Sequence, residues 1–466
     1  MSNYKAFRRT IESPIFSTVS FALIVFSIFV YSSISIVRLY PSQYISTPII
    51  KTPQRAHNND VQAAANKTPQ IQATTPALKV DQSIPIVVSN NVTAQPMNIE
   101  ELEKEEQGPD PLIPPFWLKR EGRMEWFQKK LPDLEVFQST NLSRAFHDRV
   151  LKFSTNQCAI QFFMVWLSPA RIFRPRDFLA VETLMKANPH SCLVLISRSL
   201  DTRRGYKILK PLLDLGFKIL AVTPDLASLV KDTPAETWLK QIKDGERDPG
   251  KISLSVQLSN LIRLAVLYKY GGVYLDTDFI VLKDFKGLRN AIGPQQVDQA
   301  TRKWKTLNNA ALVFDKGHPI LFDFLQEFAT TFDGNTWGHN GPYMLTRVTR
   351  RVGNTPGYNL TILGLEAFYP VNWVQIKRFF KKPATEEESK WVDETVLRLN
   401  GIKTTRLFKK PETEKESKWV AEMALKLSSN NYALHLWNKR TRTLVIEEGS
   451  VRERLIADHW AICQGP

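Results

Sequence analysis

Two aspartates one residue apart, Asp276 and Asp278, are the side chains of this 466-residue chain whose type and spacing most directly offer chemistry. They leave a short apolar run, 273–275, which itself follows the helix stop Gly271-Gly272. On an extended segment both carboxylates project to one side while Thr277 faces the other, and two convergent carboxylates make a hard-cation site. Mn²⁺ or Mg²⁺ would accept few protein oxygens there and take the rest from water and from phosphates. An isolated Asp-x-Asp string is weak, since most are solvated loop acids; position at the end of a strand is what raises this one.

Two further clusters add to the pair. Asn260 and Arg263, three apart on the preceding helical stretch, share a face from which an amide and a guanidinium can reach a base, a ribose or a phosphate. In Trp337-Gly338-His339-Asn340-Gly341-Pro342, Pro342 suits a first helical position and Asn340 lies near the N-cap. That loop is therefore expected to present free backbone N–H groups to an anion. A solitary histidine such as His339 is more often structural than catalytic, and Trp337 suits either a core or a platform for a sugar ring.

The elements that must position these residues follow from periodicity. Apolar runs at 159–167, 191–197 and 217–222 read as buried strands, alternating with helices at 178–187 and 206–215, the latter ended by Gly216. A longer helix is predicted over 253–270, its stripe formed by Leu254, Leu258, Leu261, Ile262, Ala265 and Tyr268. Strands at 273–275 and 311–314 and a helix at 320–328 follow. The alternation predicts an α/β fold with a mostly parallel sheet flanked by helices, which binds ligands beyond the carboxyl ends of its strands.

With 43% hydrophobic residues and 11% aromatics the chain can close a substantial core, and its three cysteines exclude a disulfide scaffold. The formal charge of +16 comes without a basic cluster or motif, so no nucleic-acid partner is expected. Residues 15–37 are uncharged and as a helix would span about 34 Å, enough to cross a bilayer core. Lys5, Arg8 and Arg9 precede that run, which predicts a cytosolic tail (1–14), a transmembrane signal-anchor (15–37) and a lumenal remainder. A cleaved signal peptide is the competing reading, although its apolar stretch would be shorter. Residues 38–115, rich in Pro, Gln, Thr and Ala, read as a flexible stem. Near the other end, 378–400 and 406–428 align at an offset of 28 with 15 of 23 positions identical, which reads as a duplicated amphipathic helical segment at the surface.

The strings at 259–282 (SNLIRLAVLYKYGGVYLDTDFIVL), 307–319 (LNNAALVFDKGHP), 331–342 (TFDGNTWGHNGP) and 435–439 (HLWNK) resemble, in order, the DXD-containing alpha-1,4-glycosyltransferases, closest to their plant-type members. That family includes lactosylceramide 4-alpha-galactosyltransferase and alpha-1,4-N-acetylglucosaminyltransferase. The resemblance implies a GT-A-type nucleotide-binding sheet, a donor-binding domain at 150–320 and a C-terminal alpha-1,4-glycosyltransferase region at 321–466. It further implies single-pass type II topology in the Golgi membrane. The implied reaction is retaining, metal-dependent transfer of a hexose or N-acetylhexosamine, galactose or N-acetylglucosamine foremost, from a UDP-sugar to a glycan or glycolipid. Carried over residue by residue, Asp276 and Asp278 hold the Mn²⁺, Asn260, Arg263, Asp276 and Trp337 contact the donor, and His339 and Asn340 are the catalytic candidates. Asn260 stands where the wider superfamily has an aspartate. Cys158 and Cys192 begin adjacent predicted strands, so a disulfide between them suits an oxidising lumen. A non-catalytic binding protein and a nucleotide-sugar hydrolase are the alternatives.

Overall fold

The computed structural model describes residues 112–154, 158–353, 355–399 and 431–459, all within one compact unit that begins at Val92. The expected membrane helix at 15–37, the stem up to residue 111 and the second repeat copy at 406–428 lie outside the described residues. Among the described residues no helix is long and apolar enough to cross a membrane.

The predicted alternation is present: β1 (Gln161–Val165), α1 (Pro175–Ala187), β2 (Cys192–Ile196), α2 (Arg203–Asp214), β3 (Ile219–Val222) and, after further helices, α3 (Leu254–Tyr270) leading into β4 (Gly272–Leu275). β1 pairs in parallel with β2 and β4, and β2 with β3. The sheet then continues through β7 (Trp304–Phe314), β6 (Ala291–Val297) and β8 (Thr361–Ile362), in the order β3-β2-β1-β4-β7-β6-β8. β7 runs antiparallel to both β4 and β6, so the seven-stranded sheet is mixed, with its parallel half under the predicted strands. β7 is longer than the predicted strand at 311–314 because Asn308 and Asn309, although polar, are buried within it.

Successive side chains of the central strands enter opposite cores. Phe163, Val194 and Tyr274 join α3 and the helices α4 (Pro319–Thr331) and α5 (Met344–Val352), whereas Phe162, Leu193 and Val273 join α1 and α2. This is the period of two expected of strands covered on both faces. The turn from α3 into β4 depends on its glycines: Gly271 and Gly272 have φ of 70° and 107°, and a Cβ on Gly272 would lie 2.4 Å from the Gln161 carbonyl oxygen. Cys158 and Cys192 form a disulfide, with Cα atoms 5.4 Å apart.

A second, two-stranded sheet pairs β5 (Phe279–Val281), directly after the aspartates, antiparallel with β9 (Ala433–His435). It sits over a smaller core that contains Phe379, Trp391 and Val392 from the first repeat copy, with α6 (Glu386–Leu399) packed against α7 (Val451–His459). Within the first copy, α6 turns Trp391, Val392 and Val396 into this core.

Candidate active site

A cleft of ≈490 Å³ opens beyond the carboxyl ends of β1 and β4. Residues Val165 to Ser168 line it after β1, and Asp276 to Asp278 after β4. The aspartates occupy a turn rather than an extended segment, yet their carboxylates still converge. The third member of the group is His435, at the end of β9, placed there because Phe279 and His435 are register partners across β5 and β9. One oxygen from each aspartate and a ring nitrogen of His435 all lie within 4.8 Å of one another.

Each ligand atom has a reason to be where it is. Asp278 accepts a hydrogen bond from the Asn438 N–H at 2.7 Å, and its other oxygen lies 3.1 Å from His435 Nε2. The backbone reaches that geometry because Trp437 adopts the left-handed region, φ 55° and ψ 52°, which an aromatic residue holds only when its surroundings fix it. Here the Trp437 Nε1–H donates to the Val371 carbonyl at 2.8 Å, and the indole lies edge-on to His435 and Trp373. Burial raises the Asp278 pKa, but the His435 charge and hydrogen bond, the Asn438 N–H and Arg263 outweigh it and hold the carboxyl below its usual range. Asp276 moves the other way: burial, with the neighbouring Asp278 charge, raises it in spite of Arg263.

Arg263 is tied to the protein at every donor. Its Nε and Nη2 donate to the Ser259 carbonyl and hydroxyl, Nη1 donates to the Asn309 carbonyl at 2.8 Å, and the remaining N–H groups face Asp276, with Nη2 3.0 Å from Oδ1. A guanidinium has five N–H donors, so none is left for a phosphate. The residue expected to touch the donor instead orients an aspartate, together with the Tyr274 hydroxyl, which donates to Asp276 at 2.7 Å. Asn260 does line the cleft, where its Oδ1 accepts from the Asn309 amide.

The expected N–H nest at Trp337 to Pro342 is not formed. Gly338 is left-handed and Gly341 is non-helical, so His339–Tyr343 make one π-helical turn and α5 begins only at Met344. Within that turn the N–H groups of His339, Gly341 and Tyr343 donate to the Thr336 and Gly338 carbonyls. Asn340 is buried at the cleft lining, its amide donating to Gln257 and to the Asp333 carbonyl. His339 points its ring nitrogen at the Thr331 carbonyl, 2.7 Å away, and does not line the cleft. Trp337 does line it, half exposed, with the Lys439 ammonium 2.9 Å from the centre of its ring.

Sequence reasoning assigned no role to several cleft residues: Trp166 after β1, Gln295, Asn308 and Asn309 on β6 and β7, and Tyr343, His435, Lys439 and Arg440. The strings that contain Asn308, Asn309, His435 and Lys439 were visible, but nothing local to them signals which side chain meets which. Lys439, flanked by Arg440 and Arg442, has its pKa lowered to about 8, first by burial and then by those two charges.

The chain has clear relatives. Residues 313–464 match the family model described as the alpha 1,4-glycosyltransferase conserved region, and residues 175–298 match the glycosyltransferase sugar-binding region containing a DXD motif. It is 31% identical over 317 residues to an uncharacterized protein of Arabidopsis thaliana, across 66% of this chain and 43% of that one. It is 29% identical over 287 residues to the lactosylceramide 4-alpha-galactosyltransferase of Mus musculus, across 58% of this chain and 65% of that one. With the enzyme of that name from Pongo pygmaeus the identity is 34% over 178 residues, across 37% of this chain and 77% of the relative. The chain thus spans less than two thirds of the length of the first two relatives.

Proposed function

Because this chain belongs to the DXD-containing alpha-1,4-glycosyltransferase family, we propose that it transfers a hexose or N-acetylhexosamine from a UDP-sugar to a hydroxyl of a glycan or glycolipid, with retention at the anomeric carbon. The observation that carries this reading is the convergence of Asp276, Asp278 and His435 within a cleft at the carboxyl ends of parallel strands. Two carboxylates and an imidazole fit one divalent cation, and the mixed oxygen and nitrogen donors favour Mn²⁺ over Mg²⁺. When bound, the cation would neutralise charge on the departing nucleoside diphosphate.

The chain's own residues supply the rest. Arg263 and Tyr274 fix Asp276, and the Asn438 N–H fixes Asp278, so the acidic pair is pre-oriented before any ligand arrives. Trp166, just after β1, is the flat surface suited to the donor base, and Asn260, whose Oδ1 is taken by Asn309, can offer its amide N–H groups to the ribose. Arg440, which lines the cleft five positions after His435, is the cation suited to the diphosphate.

Among the described residues, the only carboxylates lining the cleft are Asp276 and Asp278. A double displacement would need a carboxylate or amide beneath the anomeric carbon, and two candidates in the 331–342 segment, Asp333 and Asn335, lie outside the lining: Asp333 accepts from the Asn335 N–H, and Asn335 accepts from the Lys251 N–H. This supports a front-face reaction. The bond from the anomeric carbon to the phosphate oxygen breaks, the acceptor oxygen bonds to the same face, and its proton passes to the departing phosphate oxygen. No separate base is required.

We place the catalytic unit in the Golgi lumen, anchored through the uncharged run at 15–37. The Cys158–Cys192 disulfide supports an oxidising compartment. The test is a panel of UDP-sugars, with and without Mn²⁺, against glycan and glycolipid acceptors. Mn²⁺-dependent UDP release that rises with one acceptor is expected; release that is indifferent to every acceptor would make the protein a hydrolase, and none at all would leave it a binding protein.

A further inference from the structure

Two large aromatic side chains that line the cleft stay about half open to solvent. Trp337 is 48% exposed and Tyr343 49%, and both line the cleft. The other exposed aromatics among the described residues, Phe116, Trp117, Tyr206 and Phe322, do not. A solvent-exposed ring forgoes the stabilisation that burial would bring, so a pair of them beside a polar cleft points to an occupant that covers them.

Both rings are held in place. A Cβ on Gly338 would come within 3.1 Å of the Tyr343 ring, so the tyrosine lies flat against the glycine backbone. Gly338 is itself left-handed, φ 80°, which fixes the turn between the two aromatics. The Lys439 ammonium lies over the Trp337 ring as a cation–π partner, and about half of the residue's surface stays open to solvent. Surfaces fixed in this way lose little conformational freedom when a ligand settles on them.

The ligand chemistry follows from what surrounds the rings. The cleft is charged around Asp276, Asp278 and Arg440, which suits a cation and the donor diphosphate, whereas its wall on β6 and β7 is neutral: Asn308 donates to Gln295 at 2.7 Å, and both side chains line the cleft. Carboxamides can donate to and accept from hydroxyl groups, and an aromatic face matches the apolar C–H face of a pyranose. We propose that Trp337 and Tyr343 form the platform on which the pyranose ring of an uncharged acceptor saccharide stacks, with Gln295 and Asn308 bonding its hydroxyls. This rests on the glycosyltransferase reading and adds to it the place and residues of the acceptor subsite.

The experiment measures saturation-transfer NMR of a panel of methyl hexopyranosides and methyl N-acetylhexosaminides on the full chain loaded with UDP and Mn²⁺, comparing the native protein with Trp337→Ala, Trp337→Phe and Tyr343→Ala. Calorimetry of UDP with Mn²⁺ is run on each variant. Loss of one stacking face should weaken saccharide binding about tenfold in Trp337→Ala, with partial recovery in Trp337→Phe, while UDP affinity stays within about twofold. Saccharide signals equal in native protein and Trp337→Ala, or absent from both, would overturn the platform. A parallel fall in UDP affinity would move Trp337 to the donor side and overturn it equally. Failure of the native protein to bind UDP would instead refute the glycosyltransferase reading, and the saccharide signals, recorded also without UDP, would still judge the platform.

Discussion

Two cavities of similar size flank the same strands. One, ≈490 Å³, lies beyond the carboxyl ends of β1 and β4; the other, ≈440 Å³, lies at their amino ends, lined by Gln161, Gly271, Gly272, Arg289 and Asp315. Both contain an arginine paired with an aspartate. In the amino-end cavity that pair, Arg289 and Asp315, is exposed, with 78% and 42% of the two side chains open to solvent. In the carboxyl-end cleft the pair is Arg263 with Asp276, 7% and 29% exposed, and Asp278 beside it is only 9% exposed. An exposed pair costs little and stabilises little, whereas buried charges are costly and persist only where every donor and acceptor is satisfied. Volume does not distinguish a working site from a surface hollow; charge gathered in a buried place does.

The strongest way to break this contrast is to neutralise one charge on each side. Asp278→Asn is expected to lower Mn²⁺-dependent transfer by about 10³-fold with the far-ultraviolet circular dichroism unchanged, since it removes the negative charge and leaves one oxygen where two now serve the cation and the Asn438 N–H. Arg289→Gln in the opposite cavity should leave the same rate within about twofold. Equal effects from the two substitutions would erase the distinction.

A second change sharpens it. His435→Asn retains a polar side chain but not the imidazole, and the Mn²⁺ concentration giving half-maximal rate should rise about 100-fold, with the rate recovering at high metal. A fall in maximal rate at unchanged metal demand would assign His435 to another task.

The smallest effect concerns support rather than chemistry. Asp177, near the start of α1, is buried, and that burial pushes its pKa up to about 7 in spite of the Arg174 N–H and the charges of Arg176 and Arg452. The unfolded carboxyl titrates near 4, so between about pH 4 and pH 7 the folded state holds the extra proton. Its contribution is therefore most favourable below that window and is lost as pH rises through it, by at most about 1.4 kcal/mol per pH unit. Chemical denaturation followed from pH 4.5 to 7.5 should show a slope that Asp177→Asn flattens; identical slopes in the two proteins would refute the assignment.

How much of this was legible in advance depends on whether a contact is local. Asp276 with Asp278, and Asn260 with Arg263, are neighbours by strand and helix spacing, and all four face the cleft. What spacing could not disclose was use: Arg263 gives all five donors to the protein, a matter decided by Asn309 and Ser259 rather than by its own helix. A proline and an asparagine ahead of a helix signal a cap, but the conformations of Gly338 and Gly341 make a π-helical turn instead, in which Asn340 reaches the cleft and His339 does not. Asn438 meets Asp278 from 160 residues away, and His435 arrives through the same pairing of β5 with β9, which no periodicity within either segment specifies.

That pairing also sets an order of events during synthesis. The sheet can assemble from residues that leave the ribosome before position 363, yet the imidazole, the amide that grips Asp278 and the lysine beside Trp337 all travel on a short segment more than seventy positions later. A nascent chain can therefore possess its scaffold while its centre is inert, and a displacement of β9 by a single residue would turn His435 away from the aspartates without disturbing a strand of the larger sheet.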